Sequence, residues 1–216
     1  MRWIMALLAV LSTVFLFMPI LYRRIGHVSR YWRLAVKMTP TLMCAAFAGT
    51  AYFTSGELYS LFIFIGLCIC AAADVLLGIH FITGGALFFA GHMFYITSFC
   101  IQQPPTWWSL PAFAVMLGLL WLFLHQFRAG MSPKMVILVR IYSAALAVVL
   151  CLSLPMPFLA LSERTLLAAL GALIFVLSDM GVCHGMLCKI SRRRDACYLG
   201  IYYLAQLLLG LSAFGG

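Results

Sequence analysis

Eight long apolar runs separated by short polar breaks determine what this chain can fold into. A bilayer core requires about 20 apolar residues per helix, and each run comes close to that length. Because the runs are continuous instead of alternating, a membrane β-barrel is excluded. We predict an all-α integral membrane protein with one transmembrane domain over residues 1–216. Its spans are residues 3–21, 34–53, 59–80, 84–102, 109–127, 135–153, 163–186 and 197–214.

The composition agrees with a membrane protein: of 216 residues, 65% are apolar and 9% are charged. Soluble domains carry about 25% charged residues. The net charge of +9 does not indicate nucleic acid, because the basic residues lie in short loops between apolar runs. The cysteine spacings match no zinc pattern. We therefore expect membrane lipids as partners, with no nucleic acid, metal or cofactor, and the sequence leaves the oligomeric state open.

The basic residues fall on one side of the predicted spans, and this asymmetry predicts the orientation. The loops after the first, fifth and seventh spans carry Arg23, Arg24, Arg30 and Arg33, then Arg128 and Lys134, then Lys189, Arg192, Arg193 and Arg194, and Lys37 lies at the mouth of the second span on the same side. The opposite side has Arg2 and Arg164. Loops rich in Lys and Arg stay in the cytoplasm. We expect a protein of the bacterial inner membrane with both termini outside the cytoplasm.

The two halves of the chain resemble each other, which suggests an internal duplication. Ile65-Gly66 precedes Asp74 by the same distance as Leu170-Gly171 precedes Asp179. Lys37 with Arg140, and Tyr95 with Tyr202, are separated by similar offsets. Four spans per half would give two parallel repeats related by an axis along the membrane normal. The alternative is chance similarity between apolar helices.

Polar residues gather at one depth of the predicted bundle, toward the cytoplasmic side. A carboxylate inside the bilayer is costly, so Asp74 and Asp179 are candidates for function. At similar depth lie Lys37, His92, Tyr95, Tyr142, Tyr202 and Gln206. If these faces turn inward, they form a polar pocket open to the cytoplasmic leaflet. The alternatives are structural hydrogen bonds for the aspartates and His92, packing for the tyrosines, and snorkelling to the interface for Lys37 and Arg140.

Several sequence segments resemble the lysoplasmalogenase, or YhhN-like, family of membrane proteins. The matching segments are Val36-Lys37 with Pro40, Asp74 to Leu77, Gly91 to Tyr95, Tyr142, Gly171 to Asp179 including Ser178, and Tyr202 to Gln206 including Tyr203. The resemblance implies an eight-span enzyme that hydrolyses the vinyl ether bond of lysoplasmalogens. It also implies that Asp74 and Asp179 are the catalytic pair and that the other matching polar residues bind the lysophospholipid substrate. Arg140 departs from the family pattern, which has a small residue there.

The chemistry of vinyl ethers fits two buried carboxyls. The bond is protonated on carbon, an oxocarbenium ion forms, and water adds to it. This requires one protonated acid and one carboxylate, and the sequence does not tell which aspartate takes which role. Two other functions stay open: a transporter or flippase for a small lipid or proton-coupled solute, and a non-catalytic lipid-binding scaffold. A metal site using His80, His92 or His184 with an aspartate is a further alternative.

Overall fold

A computed structural model describes Leu21, residues 30–187 and residues 192–215, and every described regular element is helical. The predicted first span, residues 3–21, lies outside the described residues apart from Leu21. The long helices are α1 Arg30–Ser55, α2 Leu58–Leu77, α3 Phe81–Gln102, α4 Ser109–His125, α5 Pro133–Ser153, α6 Glu163–Leu187 and α7 Arg192–Ser212. A 3₁₀ turn, Arg128–Gly130, precedes α5, and a one-turn helix, Met156–Leu159, follows it.

Each predicted span within the described part corresponds to one long helix, with corrections at the ends. The third span was expected to continue to residue 80, but α2 ends at Leu77. His80 instead precedes α3, where its side chain accepts a hydrogen bond from the Thr83 backbone N–H. This cap satisfies a free N–H at the helix start, so α3 begins at Phe81 instead of residue 84. The last helix begins at Arg192, earlier than the predicted 197.

The helices of the described part have the length and composition expected for a membrane. Five segments are long and apolar enough to cross a bilayer: Tyr31–Ser55, Leu58–Leu77, Phe81–Gln102, Pro133–Leu159 and Glu163–Gly185. The apolar helices Ser109–His125 and Ala196–Ser212 are shorter.

Short connections make neighbouring helices antiparallel and give the bundle two distinct ends. α1 packs against α2 and α7, α2 against α3, α4 against α5, α5 against α3 and α6, and α6 against α7. We call the end at which α1, α3, α5 and α7 begin the basic end. In the described part of the chain it carries Lys37, Arg128, Lys134 and Arg194.

Small residues let α2 and α3 approach closely. A methyl group on Gly66 would lie 2.5 Å from a ring carbon of Tyr95 and 3.3 Å from the Gly91 carbonyl oxygen. A methyl group on Gly91 would lie 2.8 Å from Cys70 Sγ. Small residues at helix interfaces allow this proximity in membranes, where packing replaces the hydrophobic effect. The absence of side chains at these glycines therefore allows Tyr95 to pack against the middle of α2.

A buried arginine joins three helices at the end opposite the basic end. Arg164, at the start of α6, forms an ion pair with Glu57 just before α2. It also donates to Gln102 Oε1 at the end of α3, at 3.2 Å. Its guanidinium lies 4.7 Å from the centre of the Tyr59 ring. Arg164 therefore links α6 to the α2–α3 hairpin.

Candidate active site

Asp74 and Asp179 line a single cavity of about 480 Å³ in the half of the bundle near the basic end. α2 and α6 supply the two aspartates, and α3, α4, α5 and α7 supply most of the remaining wall. Three more of the predicted site residues face this cavity: Lys37, Tyr142 and Tyr202. The other lining side chains are mostly apolar, among them Phe81, Ile82, Phe89, Leu120, Phe123, Met135, Leu138, Val139 and Met180.

Side chains of α3 and of α5 line much of the apolar part of the cavity. Ile82, Gly85 and Phe89 follow the spacing of one helical face. In the part of the chain that the structure describes, nothing lies within 4 Å of a methyl group placed on Gly85, so this part of the wall borders open space. The cavity thus combines a small polar region around the aspartates with a long apolar space beside it.

The Asp74 carboxyl has a cation and two hydroxyl donors around it. Lys37 Nζ lies 3.5 Å from Oδ1 and 3.4 Å from the Asp74 carbonyl oxygen. Thr41 donates to Oδ2 at 2.8 Å, and Tyr202 donates to the same oxygen at 2.9 Å. Asp74 is only 1% exposed. A buried carboxylate needs such compensation, and these three side chains supply it.

The Asp179 carboxyl has fewer partners. Tyr142 donates to its Oδ2 at 2.5 Å. In the described part of the chain no cation lies at ion-pair distance from Asp179, since the ion pairs found there are Lys37–Asp74 and Arg164–Glu57. Both aspartates line the same cavity. The site therefore pairs a strongly compensated carboxyl with a weakly compensated one.

The remaining predicted residues stand behind the cavity wall. His92 is fully buried and packs edge-on against Tyr142 and Phe175, with ring centres 5.4 and 4.8 Å away. Its Nδ1 bonds to the Phe88 carbonyl oxygen at 2.5 Å. Tyr95 donates to Gln206 Oε1 at 2.9 Å. These three predicted site residues, His92, Tyr95 and Gln206, do not line the cavity.

Tyr203 and Ser178 do not line the cavity either, and their hydroxyls bond to backbone carbonyl oxygens. Tyr203 donates to the Lys37 carbonyl oxygen at 2.8 Å, and Ser178 donates to the Tyr198 carbonyl oxygen at 3.3 Å. Both side chains therefore connect α7 to the helices that carry Lys37 and Asp179.

Thr41 and Tyr198 belong to the site but were not among the predicted residues. Thr41 lies one turn after Lys37 on the same face of α1, and this spacing was available in the sequence. Tyr198 lines the cavity. A methyl group on Gly181 would lie 2.3 Å from its ring, so Gly181 makes the room that this ring occupies. No sequence pattern indicated that contact.

The histidines considered as metal ligands have separate surroundings. His80 caps α3, and His184 lies beside Phe127 with ring centres 5.7 Å apart. Among the described residues, no group of three or more His, Cys, Asp or Glu side chains is arranged to hold a metal ion.

Comparison with known proteins identifies the family. The YhhN family profile matches residues 32–213. Lysoplasmalogenase TMEM86A from Homo sapiens is 30% identical over 159 residues, which cover 70% of this chain and 64% of the human protein. The match thus spans less than two thirds of that relative's length. No solved structure matches the chain. With its several helices able to span a bilayer, this integral membrane protein is a member of the YhhN family.

Proposed function

We propose that the protein is a lysoplasmalogenase, a membrane hydrolase that cleaves the vinyl ether bond of a lysophospholipid to a fatty aldehyde and a glycerophospho-alcohol. The observation that carries the proposal is the pair of aspartates in one otherwise apolar cavity. The apolar walls suit a single hydrocarbon chain, and the aspartates supply the acid and the base. The name of the human relative agrees with this activity.

In this mechanism Asp179 is the general acid. Among the described residues its carboxyl has one hydrogen-bond donor and no cation beside it, so it is the better placed of the two to carry a proton. Asp179 gives this proton to the vinyl carbon that does not bear the ether oxygen. The double bond is consumed, and a positive charge forms on the adjacent carbon and its oxygen.

Asp74 is the carboxylate that stabilises this cation and activates water. Lys37, Thr41 and Tyr202 favour its ionised form. Asp74 takes a proton from the water that adds to the oxocarbenium carbon. The resulting hemiacetal separates into aldehyde and alcohol, and a proton that passes from Asp74 to Asp179 restores the starting state.

The proposal includes eight spans, both termini outside the cytoplasm, and a cavity that faces the cytoplasmic side of a bacterial inner membrane. It also includes the duplication into two parallel four-helix halves. Lys37 and Asp74 are 37 residues apart, and so are Tyr142 and Asp179. This equal spacing supports the duplication and makes Tyr142, instead of Arg140, the counterpart of Lys37.

Aldehyde release by the purified protein tests the function. The detergent-solubilised protein is incubated with a vinyl-ether lysophospholipid, and fatty aldehyde is measured over time. The matched control substrate is the alkyl-ether lysophospholipid of equal chain length, which has no double bond to protonate. We expect aldehyde from the vinyl ether alone. No aldehyde from folded protein, or equal turnover of both ethers, would reject the proposed reaction.

A further inference from the structure

A groove separate from the cavity lies between α4 and α5, and the proposed reaction does not use it. Its volume is about 360 Å³. Trp121 and His125 from α4, Arg128 from the following turn, and Val136 and Arg140 from α5 line it. The groove therefore combines two arginines with an apolar surface.

Arg140 is held in this groove by an aromatic ring. Its guanidinium carbon lies 5.5 Å from the centre of the Trp121 ring. The ring is itself oriented by a hydrogen bond from its Nε1 to Ser143 Oγ at 3.1 Å. Ser143 in turn donates to the Arg140 carbonyl oxygen at 2.8 Å. Three linked contacts thus fix the arginine and the tryptophan together on the outside of the bundle.

The position of Arg140 favours the binding of an anion. Arg140 lies two turns into α5, about 10 Å from its start at 1.5 Å per residue. Helix side chains lean toward the N-terminus, so this one is directed toward the basic end and Arg128. Neither arginine has a carboxylate at ion-pair distance within the described part of the chain. An unpaired charge at this depth is costly.

We propose that the α4–α5 groove binds an anionic glycerophospholipid of the surrounding membrane, whose phosphate contacts Arg128 and Arg140. Leu122 and Val136 supply the apolar surface for one of its acyl chains. Basic pockets between transmembrane helices bind lipid head groups in this way. Trp121 belongs at such a boundary, because tryptophan is enriched where hydrocarbon meets head groups.

The bound lipid also borders the catalytic cavity. Leu124, Met131 and Val139 line both the groove and the cavity. These side chains form part of the wall between the two spaces, so a lipid in the groove supports one wall of the cavity. The lipid site itself does not depend on the proposed hydrolase activity.

Lipid binding by the detergent-purified full chain tests the proposal. Native mass spectrometry measures binding of phosphatidylglycerol and of zwitterionic phosphatidylcholine with the same acyl chains. We compare Arg140→Met and Arg128→Met with Lys134→Met, which removes a charge at the same end but not from the groove. We expect wild type and Lys134→Met to prefer phosphatidylglycerol, and each arginine variant to bind it at least 10-fold more weakly. Equal binding of both lipids, or unchanged affinity in Arg140→Met, would overturn the proposal.

Two further measurements distinguish the source of the anion and locate the chain. Inorganic phosphate alone should not raise the melting temperature of the protein. If phosphate stabilises the protein as much as phosphatidylglycerol does, the ligand of the groove is a soluble anion and not a lipid. Phosphatidylglycerol with brominated acyl chains should quench tryptophan fluorescence, and Trp121→Phe should lose most of that quenching. This fluorescence measurement does not depend on whether the arginine variants fold. Undiminished quenching in Trp121→Phe would place the lipid elsewhere and reject the groove.

Discussion

At the residue scale, the two aspartates differ in what surrounds their carboxyl oxygens. Lys37, Thr41 and Tyr202 contact Asp74, whereas Tyr142 donates to Asp179. Two groups of the same chemical type can take opposite roles when their environments differ in this manner. The asymmetry is the basis for our assignment of Asp179 as acid and Asp74 as base.

Replacement of either aspartate by asparagine should abolish most of the activity and leave the fold intact. Asn keeps the volume but cannot transfer the proton. We expect Asp74→Asn and Asp179→Asn each to lower kcat by at least ~10²-fold, and the double variant to be hardly worse than either, because groups that act together are not additive. Aldehyde assays and thermal unfolding measure both effects. Full activity in both single variants would mean that the pair is not the catalytic centre.

Two tyrosines, the half-buried Tyr142 and the buried Tyr95, provide a matched test of the hydrogen bond to Asp179. Tyr142→Phe removes the donor at Asp179, whereas Tyr95→Phe removes a donor to Gln206, behind the cavity wall. When Asp179 gives up its proton it becomes a carboxylate, and a hydrogen bond to a charged group contributes about 1.5–3 kcal/mol. We expect kcat to fall about 10-fold in Tyr142→Phe and to change little in Tyr95→Phe, while both melt at lower temperature. Equal losses of kcat in Tyr142→Phe and Tyr95→Phe would show that Tyr142 has a structural role only.

The sequence could predict the depth of these side chains but not the direction in which they point. Tyr95 and Tyr142 are the same residue type at similar depth, and both were expected at the site. Rotation of each helix about its axis separates them, and that rotation depends on packing such as the approach of Gly66 to Gly91. Apolar run length, by contrast, predicted every long helix of the described part, because bilayer thickness fixes that length.

At the element scale, side chains of α3 and α5 line much of the apolar part of the cavity. Gly85 borders open space there. Gly85→Leu should therefore project into the cavity without disturbing its neighbours and shorten the chain that fits. We expect activity on a long-chain substrate to fall about 10-fold relative to a short-chain one. Kinetics on both substrates measure this ratio.

Gly118→Leu is the control for Gly85→Leu. Among the described residues, none lies within 4 Å of a methyl group added to Gly118 either, but Gly118 lines the α4–α5 groove. Its substitution should leave the ratio of long-chain to short-chain activity unchanged. The same shift in both variants, or none in Gly85→Leu, would mean that the hydrocarbon chain does not lie beside α3.

The contact between α6 and the α2–α3 hairpin is a stability element far from the aspartates. The Arg164 side chain is 9% exposed and its partner Glu57 is 39% exposed. Loss of one partner from a buried pair is destabilising, and solvent at Glu57 reduces the effect to about 1–3 kcal/mol. We expect Arg164→Met to lower the melting temperature by at least ~3 °C with kcat unchanged. Glu163→Gln, at an exposed neighbour, should leave the melting temperature unchanged.

At the scale of the whole molecule, the charges and the cavity lie toward the same end. The cavity with Lys37, Asp74 and Asp179 is in the half of the bundle near the basic end, and Arg128 lies in the α4–α5 connection there. At the opposite end, Arg164 is paired with Glu57. Basic residues near span ends stay in the cytoplasm. The orientation of the chain therefore also decides which leaflet and which compartment supply the substrate.

Reporter fusions test this orientation directly. Because the basic end should be cytoplasmic and the chain should cross the membrane eight times, its C-terminus should lie outside the cytoplasm. A reporter active only in the cytoplasm, fused after Gly216, should give no signal, whereas fusion of a truncated chain after Gly130, in the α4–α5 connection, should give a strong one. A second reporter, active only outside the cytoplasm, should show the reverse pattern. A cytoplasmic signal after Gly216, together with no signal after Gly130, would show that the topology is the inverse of the predicted one. The cavity, and with it the site of substrate entry, would then belong to the opposite face of the membrane.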